Sequence, residues 1–163
     1  MQTKMTAYHG DPAIKEKYIA RMKAHMAADE LIRGTGWGDG KGCAVGCTLD
    51  NYDHSCYPIE LGIPKQIAKI EDAIFEGLPK EDAMKFPLQF LEAVNTGSDL
   101  SLVWPKFAVW LLTDPTHGTI QYCDERGKEA TKQVVQLFNN TIEGVGVSAA
   151  AWDAAWDAAR DAA

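Results

Sequence analysis

The sequence predicts an all-α protein: a bundle of about five helices, with a Gly/Cys-rich structured loop after the first helix and an Ala/Trp-rich C-terminal helix. Three observations predict it. Apolar residues recur at helical spacing, the C-terminal residues are mostly alanine, and the single strand candidate, 119–123, has no partner strand. With 163 residues, 46% of them hydrophobic, the chain has enough apolar material for a core.

The predicted helices start at recognisable signals. In chain order they cover residues 12–33, 64–77, 79–94, 100–112 and 128–142. Asp11 as N-cap and Pro12 at the first helical position start the first helix. Pro87 bends or splits the third helix, and Pro105 interrupts the fourth. The fourth helix is apolar nearly all round, which predicts a central, buried position.

Three polar residues fall on predicted apolar faces. His25 and Asp29 lie on the stripe of the first helix, and Glu71 lies in the middle of the stripe of the second. A polar group at a core position that lacks a hydrogen bond destabilises the fold by roughly 1–3 kcal/mol. We therefore expect His25 and Asp29 to bond each other, and Glu71 to accept backbone N–H groups of the glycine-rich loop.

The glycine-rich loop, residues 34–48, holds six of the 14 glycines and is the predicted binding site. Glycine at this density indicates backbone that turns tightly or approaches something closely. Successive N–H groups predict an anion nest, with a lysine for charge and a tryptophan as stacking face. The loop lacks the endings of a P-loop or a dinucleotide fingerprint. The predicted ligand-binding residues are His25, Asp29, Trp37, Gly38, Gly40, Lys41 and Gly42.

A zinc site is the alternative interpretation of the same region. The predicted ligands are Cys43, Cys47, His54 and Cys56. A variant of this site uses His25, Asp29 or Glu71 as the additional ligand. The Cys-x3-Cys spacing lies within the range of tetrahedral zinc sites. Zinc would then stabilise an interaction domain. The other fate of the first two cysteines is that of small buried hydrophobes.

A cysteine-dependent hydrolase is the third interpretation. Cys43 or Cys47 would be a thiolate at the start of a short helix. His54 or His117 would act as its base, and Asp29 would orient that base. Cysteine hydrolases pair such a helix with a sheet that carries the histidine, and this chain predicts no sheet.

The C-terminal residues repeat a tetrad, Trp/Arg-Asp-Ala-Ala, three times. Alanine predicts a helix, on which Trp152, Trp156 and Arg160 form a slowly drifting stripe. The two tryptophans either dock on the bundle or meet a second copy, so we expect a homo-oligomer. Residues 1–146 are the predicted bundle domain and 147–163 its tail, which we expect to be the start of a longer repeat.

Four segments carry a resemblance that covers most of the chain. They are GKGCAVGCTL at 40–49, ELGIP at 60–64, IFEGLP at 74–79, and the repetitive tail. In these segments the chain resembles an uncharacterised family of phage and bacterial hypothetical proteins. The resemblance implies a small phage-type accessory protein, and it carries no reaction, ligand or catalytic residue.

Charge and hydropathy exclude some partners. The net charge is −7 and no Lys/Arg cluster forms a basic face, which excludes duplex nucleic acid. No apolar run reaches the roughly 20 residues that span a bilayer. We expect a cytoplasmic protein, in the host cell if phage-encoded. The predicted function is non-enzymatic capture of a small anionic, nucleotide-like ligand (a sponge), or of a host-defence partner protein.

Overall fold

The computed structural model describes residues 4–162, and these are predominantly helical, which confirms the all-α prediction. The chain divides into two compact units, Met1–Ser101 and Leu102–Ala163. The boundary expected at residue 146 falls inside the second unit. Within residues 4–162, every helix is too short or too polar to cross a bilayer.

The first unit combines short helices with one β-hairpin. Its helices are α1 (Pro12–Ala27), α2 (Ala44–Leu49), α3 (Cys56–Glu60), α4 (Lys65–Gly77), α5 (Lys80–Ala83) and α6 (Phe86–Ala93). The hairpin strands are β1 (Trp37–Gly38) and β2 (Lys41–Gly42), and a 3-10 turn, Ala7–Gly10, precedes α1. The predicted helix at 64–77 is confirmed. The predicted helix at 79–94 is split into α5 and α6, with Pro87 in the first turn of α6.

The first helix begins as predicted and ends earlier. The Asp11 carboxylate accepts a hydrogen bond from the N–H of Ala13 at 2.8 Å, which confirms the cap. The helix ends at Ala27, well before the predicted end, because the chain leaves it to pair with β2. Leu31 forms a parallel bridge with Gly42 in that pairing. The segment predicted as the last turns of α1 is therefore a turn at residues 28–29, followed by residues 30–32 paired with Gly42.

Three buried tyrosines hold the core of the first unit. Tyr8, Tyr18 and Tyr57 are each at most 1% exposed. A buried hydroxyl needs a partner, and each of these has one. Tyr8 donates to the Leu91 carbonyl at 2.7 Å, and Tyr18 donates to the Glu60 carboxylate. The core is thus apolar packing tied together by hydroxyl groups, with α1, α2, α4 and α6 around it.

The second unit is a packed set of three helices. They are α7 (Val103–Thr113), α8 (Glu125–Ile142) and α9 (Ala149–Asp161). The Asp124 carboxylate caps α8 by accepting from the N–H of Gly127 at 2.8 Å, so α8 begins slightly before the predicted residue 128. The strand candidate at 119–123 was wrong, because Thr119–Tyr122 forms a 3-10 turn.

Helix α7 differs from its prediction in start and burial. It begins at Val103, because the Asp99 carboxylate accepts from the N–H and hydroxyl of Ser101 at 3.0 and 2.6 Å and so forms a turn before the helix. Only two of its 11 residues are buried, and Trp110 is 44% exposed. The prediction of a central, buried helix is therefore wrong. The apolar residues of α7 lie on more than one face of the helix, and only some of them pack in the apolar cluster with α8 and α9.

The repetitive tail forms α9 and docks through one of its two tryptophans. The Ser148 hydroxyl caps the helix by accepting from the N–H of Ala151 at 3.2 Å. The Trp152 ring packs edge-on against Phe138, with 4.8 Å between ring centroids. Trp156 is 51% exposed. Self-association through this exposed ring stays a prediction.

Candidate functional site

The glycine-rich loop folds into a tight β-hairpin. Strands β1 and β2 pair antiparallel, with Gly38 opposite Lys41. At the turn, Asp39 and Gly40 have φ of 52° and 76°. Two positive φ values in a row are what a two-residue type I′ turn needs, and Asp-Gly is among the pairs that supply them. The turn presents Gly38, Gly40 and Lys41 to solvent.

Three glycines of the loop are required by close packing within the chain. A Cβ at Gly42 or Gly46 would run into the carbonyl oxygen of Gly36. A Cβ at Gly36 would in turn lie 2.5 Å from the ring of Tyr52. The close approach that the glycine density predicted is therefore the approach of the loop to α2 and to Tyr52.

The N–H groups at the base of the hairpin are used within the protein. Gly42 N–H donates to the Glu30 carbonyl at 3.0 Å, and Cys43 N–H donates to the Thr35 carbonyl at 2.8 Å. Glycine-rich backbone binds an anion only where its N–H groups converge on free space. The part of the predicted anion nest that Gly42 was expected to supply is thus occupied by the chain's own carbonyls.

Glu76 holds the start of the loop in place of the residue predicted for that role. Its carboxylate accepts from the N–H of Gly34 at 2.9 Å. Glu71 was expected to accept from this loop, and that expectation is wrong. Glu71 faces the core, whereas Glu76 lies on the exposed face of α4. Sequence reasoning missed Glu76 because a carboxylate on a polar helix face carries no signal.

His25 ties three segments of the first unit together. Its Nδ1 lies 2.7 Å from the Glu30 carboxylate and its Nε2 lies 3.0 Å from the Asp50 carboxylate. The expected His25–Asp29 bond is wrong, because Asp29 lies beyond the end of α1 in a left-handed conformation with φ of 53°. The ring of Trp37 meets that of His25 edge-on, with 5.5 Å between centroids. His25 and Trp37 thus position the hairpin.

Cys43, the N-cap residue of α2, and Cys47, within the helix, are core residues. Cys43 and Cys47 are 1% and 0% exposed. Burial raises the pKa of the Cys43 thiol to about 12, and the neighbouring Asp72 carboxylate adds to the rise. Burial raises the pKa of the Cys47 thiol to about 11. A nucleophilic cysteine needs a lowered pKa and access to substrate, so both thiols have the opposite properties.

The candidate zinc ligands are not assembled. Within residues 4–162, no group of three or more His, Cys, Asp or Glu side chains is placed to hold a metal ion. His54 turns its Nε2 to the Asp72 carboxylate at 3.2 Å, while Cys56 lies near Asp53 at the start of α3. The structure therefore does not bring together the four ligands that the sequence predicted, Cys43, Cys47, His54 and Cys56.

Tyr52 and Asp72 form a contact that sequence reasoning did not anticipate. The Tyr52 hydroxyl donates to the Asp72 carboxylate at 2.9 Å. This hydrogen bond, together with some burial, raises the pKa of the Tyr52 hydroxyl to about 12. Since the ring of Tyr52 lies over Gly36, the pair fixes the loop against α4.

Glu71 is a buried carboxyl group. It is 1% exposed, and its Oε2 accepts from the Tyr57 hydroxyl at 2.7 Å. Among the described residues its Oε1 has no hydrogen-bond partner. Burial raises the pKa of Glu71 to about 8, and the adjacent Asp72 contributes. The proton therefore stays on the folded protein at pH values where a solvated glutamate has lost it.

A cleft lies beside the extended segment that pairs with β2. Its volume is about 580 Å³. The lining residues are Asp29, Leu31, Ile32, Arg33, Lys80 and Met84. The floor is apolar, for Leu31 is 6% exposed and Ile32 and Met84 are half-buried. Of the predicted ligand-binding residues, only Asp29 is part of it.

Two cations, Arg33 and Lys80, also line the cleft. The Arg33 Nη1 donates to the Leu78 carbonyl at 2.7 Å, which fixes the guanidinium just past the end of α4. Lys80 is the first residue of α5. Neither cation takes part in an ion pair with the side chains of residues 4–162. The cleft thus carries two cations that form no ion pair with the described residues, and one carboxylate, that of Asp29.

Comparison with known proteins adds no relative. No protein-family model matches the chain, and no curated protein or solved structure matches it. The fold and the cleft therefore define the class: an all-α protein with a cleft of ligand size beside a glycine-rich hairpin.

Proposed function

We propose that this is a non-enzymatic binding protein that captures a small anionic ligand in the cleft between the 29–33 segment and α5. One observation carries the proposal: Arg33 and Lys80 flank an apolar floor in a cleft of about 580 Å³. Small-molecule sites are concave, mostly apolar and typically about 300–1,000 Å³, with few polar groups that fix orientation. The cleft has the required volume, and apolar and charged side chains share its lining about equally.

The hairpin contributes to the site as its support. Gly42 pairs with both neighbours of Leu31, since its N–H donates to the Glu30 carbonyl and its carbonyl accepts from the N–H of Ile32 at 2.8 Å. Leu31 and Ile32 line the cleft, so this pairing fixes one wall. A wall held by backbone hydrogen bonds is preorganised, which lowers the entropy cost of binding.

The burial and raised pKa of two thiols favour ligand capture over a cysteine-dependent reaction. Cys43 precedes α2 as its N-cap residue and Cys47 lies within it, and both thiols are buried with a raised pKa. Neither lines the cleft. Sequestration needs affinity alone, and the cleft offers charge and apolar surface for that purpose.

The family resemblance supplies the setting of the proposal. In a phage-type accessory protein, capture without turnover lowers the free concentration of a ligand in the host cytoplasm. Such a sponge acts in proportion to its copy number and affinity. A host protein is the other occupant that the resemblance allows, and native mass spectrometry separates the two.

The test is native mass spectrometry of the protein purified from cells without chelator, followed by calorimetric titration with pyrophosphate as a defined anionic probe. We expect an organic adduct and measurable pyrophosphate binding. The double variant Arg33→Gln/Lys80→Gln is expected to lose the adduct and at least tenfold in pyrophosphate affinity, because each cation contributes charge-assisted hydrogen bonds.

The matched control is Lys65→Gln/Lys69→Gln, which removes the same charge from exposed positions of α4 outside the cleft. We expect it to keep the adduct and the affinity. Equal losses in both double variants would mean that net charge, not the cleft, binds the anion. A protein that carries no adduct and does not bind pyrophosphate would refute ligand capture and favour a protein partner. A mass excess of one zinc ion per chain would favour the zinc interpretation.

A further inference from the structure

A smaller pocket continues the cleft at one end. Its volume is about 90 Å³, and its lining residues are Met26, Asp29, Leu31 and Met84. Three of these four also line the larger cleft, whereas Arg33 and Lys80 line the larger cleft alone. The combined cavity therefore has its two cations on the side of the larger cleft and Met26 on the side of the smaller pocket, with Asp29, Leu31 and Met84 shared by both.

The smaller pocket suits a flat ring. Met26 and Met84 bring two thioethers to it. Thioether sulfur makes favourable contacts with aromatic rings, and methionine adapts its shape to the ring it meets. Leu31, 6% exposed, closes the floor. At about 90 Å³ the pocket takes one edge of a ring, and the rest of the ring lies in the adjoining cleft.

Asp29 adds a pattern of hydrogen bonding. The residue is exposed, and it forms no ion pair with the side chains of residues 4–162. An ionised carboxylate accepts and never donates, and its two oxygens match two parallel N–H donors. A ring edge with two adjacent N–H groups therefore suits Asp29 best. An edge that places an acceptor beside the donor sets a lone pair against one carboxylate oxygen.

On the basis of the proposed anion capture, we infer that the ligand is a nucleotide with a guanine-type base. The phosphate lies at Arg33 and Lys80, the ring enters the pocket of Met26 and Met84, and its N1–H and exocyclic N–H donate to Asp29. Adenine offers one amino donor beside an acceptor nitrogen. Uracil offers one N–H between two carbonyl oxygens. Both place an acceptor opposite the carboxylate.

The experiment is calorimetric titration of the full chain with GMP, AMP, UMP and pyrophosphate. We expect GMP to bind at least tenfold more tightly than AMP or UMP. Asp29→Asn is expected to reduce GMP affinity to that of AMP, because the amide turns one N–H toward a base donor. The variant keeps the fold, since asparagine accepts the left-handed backbone of this position.

The control is Asp39→Asn, at an exposed position of the hairpin turn with φ of 52°. It removes the same charge from a similar conformation outside both pockets, and we expect the preference for GMP to persist. Equal affinities for the three nucleotides would overturn the base assignment while anion capture stands. Binding of pyrophosphate but of no nucleotide would have the same meaning. Absence of pyrophosphate binding would overturn both proposals.

Discussion

The carbonyl oxygen of Gly36 occupies the space where a side chain of Gly46 would begin. This contact places the loop directly on α2. We therefore predict that Gly46→Ala destabilises the first unit by roughly 1–3 kcal/mol, the usual cost of overpacking a closed site. The measurement is the midpoint of urea unfolding, followed by circular dichroism.

Gly38→Ala is the matched control for this substitution. The same loop contains it, nothing lies within 4 Å of its Cβ position, and its φ is not in the left-handed region. We expect an unfolding midpoint close to that of the unsubstituted chain. If the two alanine variants unfold together, the loop does not pack on α2 as described.

The second prediction concerns the clamp formed by His25. Its two ring nitrogens each face a carboxylate, Glu30 at 2.7 Å and Asp50 at 3.0 Å. We expect His25→Ala to lower the free energy of unfolding by roughly 1–3 kcal/mol, because two hydrogen bonds to charged groups are lost. Glu30 then lacks the partner of its carboxylate, whereas Asp50 keeps its ion pair with Arg21. Urea unfolding measures the loss. His117→Ala, at an exposed turn position, is the control, and an equal effect of the two variants would contradict the role of the clamp.

The third prediction is a pH dependence that originates at Glu71. The carboxyl pKa is about 8 in the folded protein against an ordinary value of 4.5. Between these values the folded state binds more protons than the unfolded state, so the free energy of unfolding falls as pH rises. The slope from this group approaches about 1.4 kcal/mol per pH unit. Above pH 8 the contribution is constant.

Glu71→Gln tests this by keeping shape and removing the titration. We expect its stability to match that of the unsubstituted chain near pH 5 and to exceed it at pH 9, as measured by urea unfolding at each pH. Glu81→Gln, whose side chain is 85% exposed, should leave the pH profile as it is. An unchanged profile in Glu71→Gln would show that the carboxyl group does not titrate in this window.

Local signals predicted most of the helices. Asp11 caps α1 through the bond that its sequence position implies, and Pro64 and Pro79 precede α4 and α5 as expected. Such signals act within one turn of the chain, so they need no tertiary information. The end of α1 was predicted wrongly because it depends on tertiary information that local signals lack. Residues 30–32 pair with Gly42 instead of continuing the helix. The sequence near Ala27 contains no helix-stop signal that would predict this.

The candidate site was harder to predict than the fold. The loop was found because its glycines are dense in the sequence, but its neighbour Tyr52 and the cations of the cleft were not. Arg33 and Lys80 are ordinary exposed cations until the fold brings α5 beside the 29–33 segment. The expected partner of His25 was wrong because helical spacing to Asp29 ceased to apply where α1 ended. Long-range contacts of this kind produce no periodic pattern in the sequence, so the sequence does not predict them.

The fourth prediction separates the cysteines by reactivity. At pH 7.5, iodoacetamide is expected to label the half-buried Cys56 and Cys123, and to leave Cys43 and Cys47 intact until urea unfolds the chain. Burial removes access to these two thiols and raises the pKa of each, so little thiolate forms. Peptide mass spectrometry of the labelled protein identifies the sites. Rapid labelling of Cys43 in the folded protein would instead revive the hydrolase interpretation.

The last prediction distinguishes the two tryptophans of the tail. Trp152 packs on Phe138 within the second unit, whereas Trp156 is 51% exposed. We expect Trp152→Ala to destabilise the second unit by roughly 3 kcal/mol, at the lower end of aromatic truncation because its site is half-buried. Trp156→Ala should change the urea unfolding midpoint little at low protein concentration.

The same pair of variants tests self-association, measured by sedimentation at two protein concentrations. An exposed tryptophan on an alanine helix is surface that a second copy can cover, because small residues let helices approach closely. If the chain forms oligomers through α9, Trp156→Ala shifts it to monomer while Trp152→Ala reduces its stability. A monomeric unsubstituted chain at both concentrations would contradict assembly through α9, and a midpoint that falls equally in both variants would mean that Trp156 packs within its own unit.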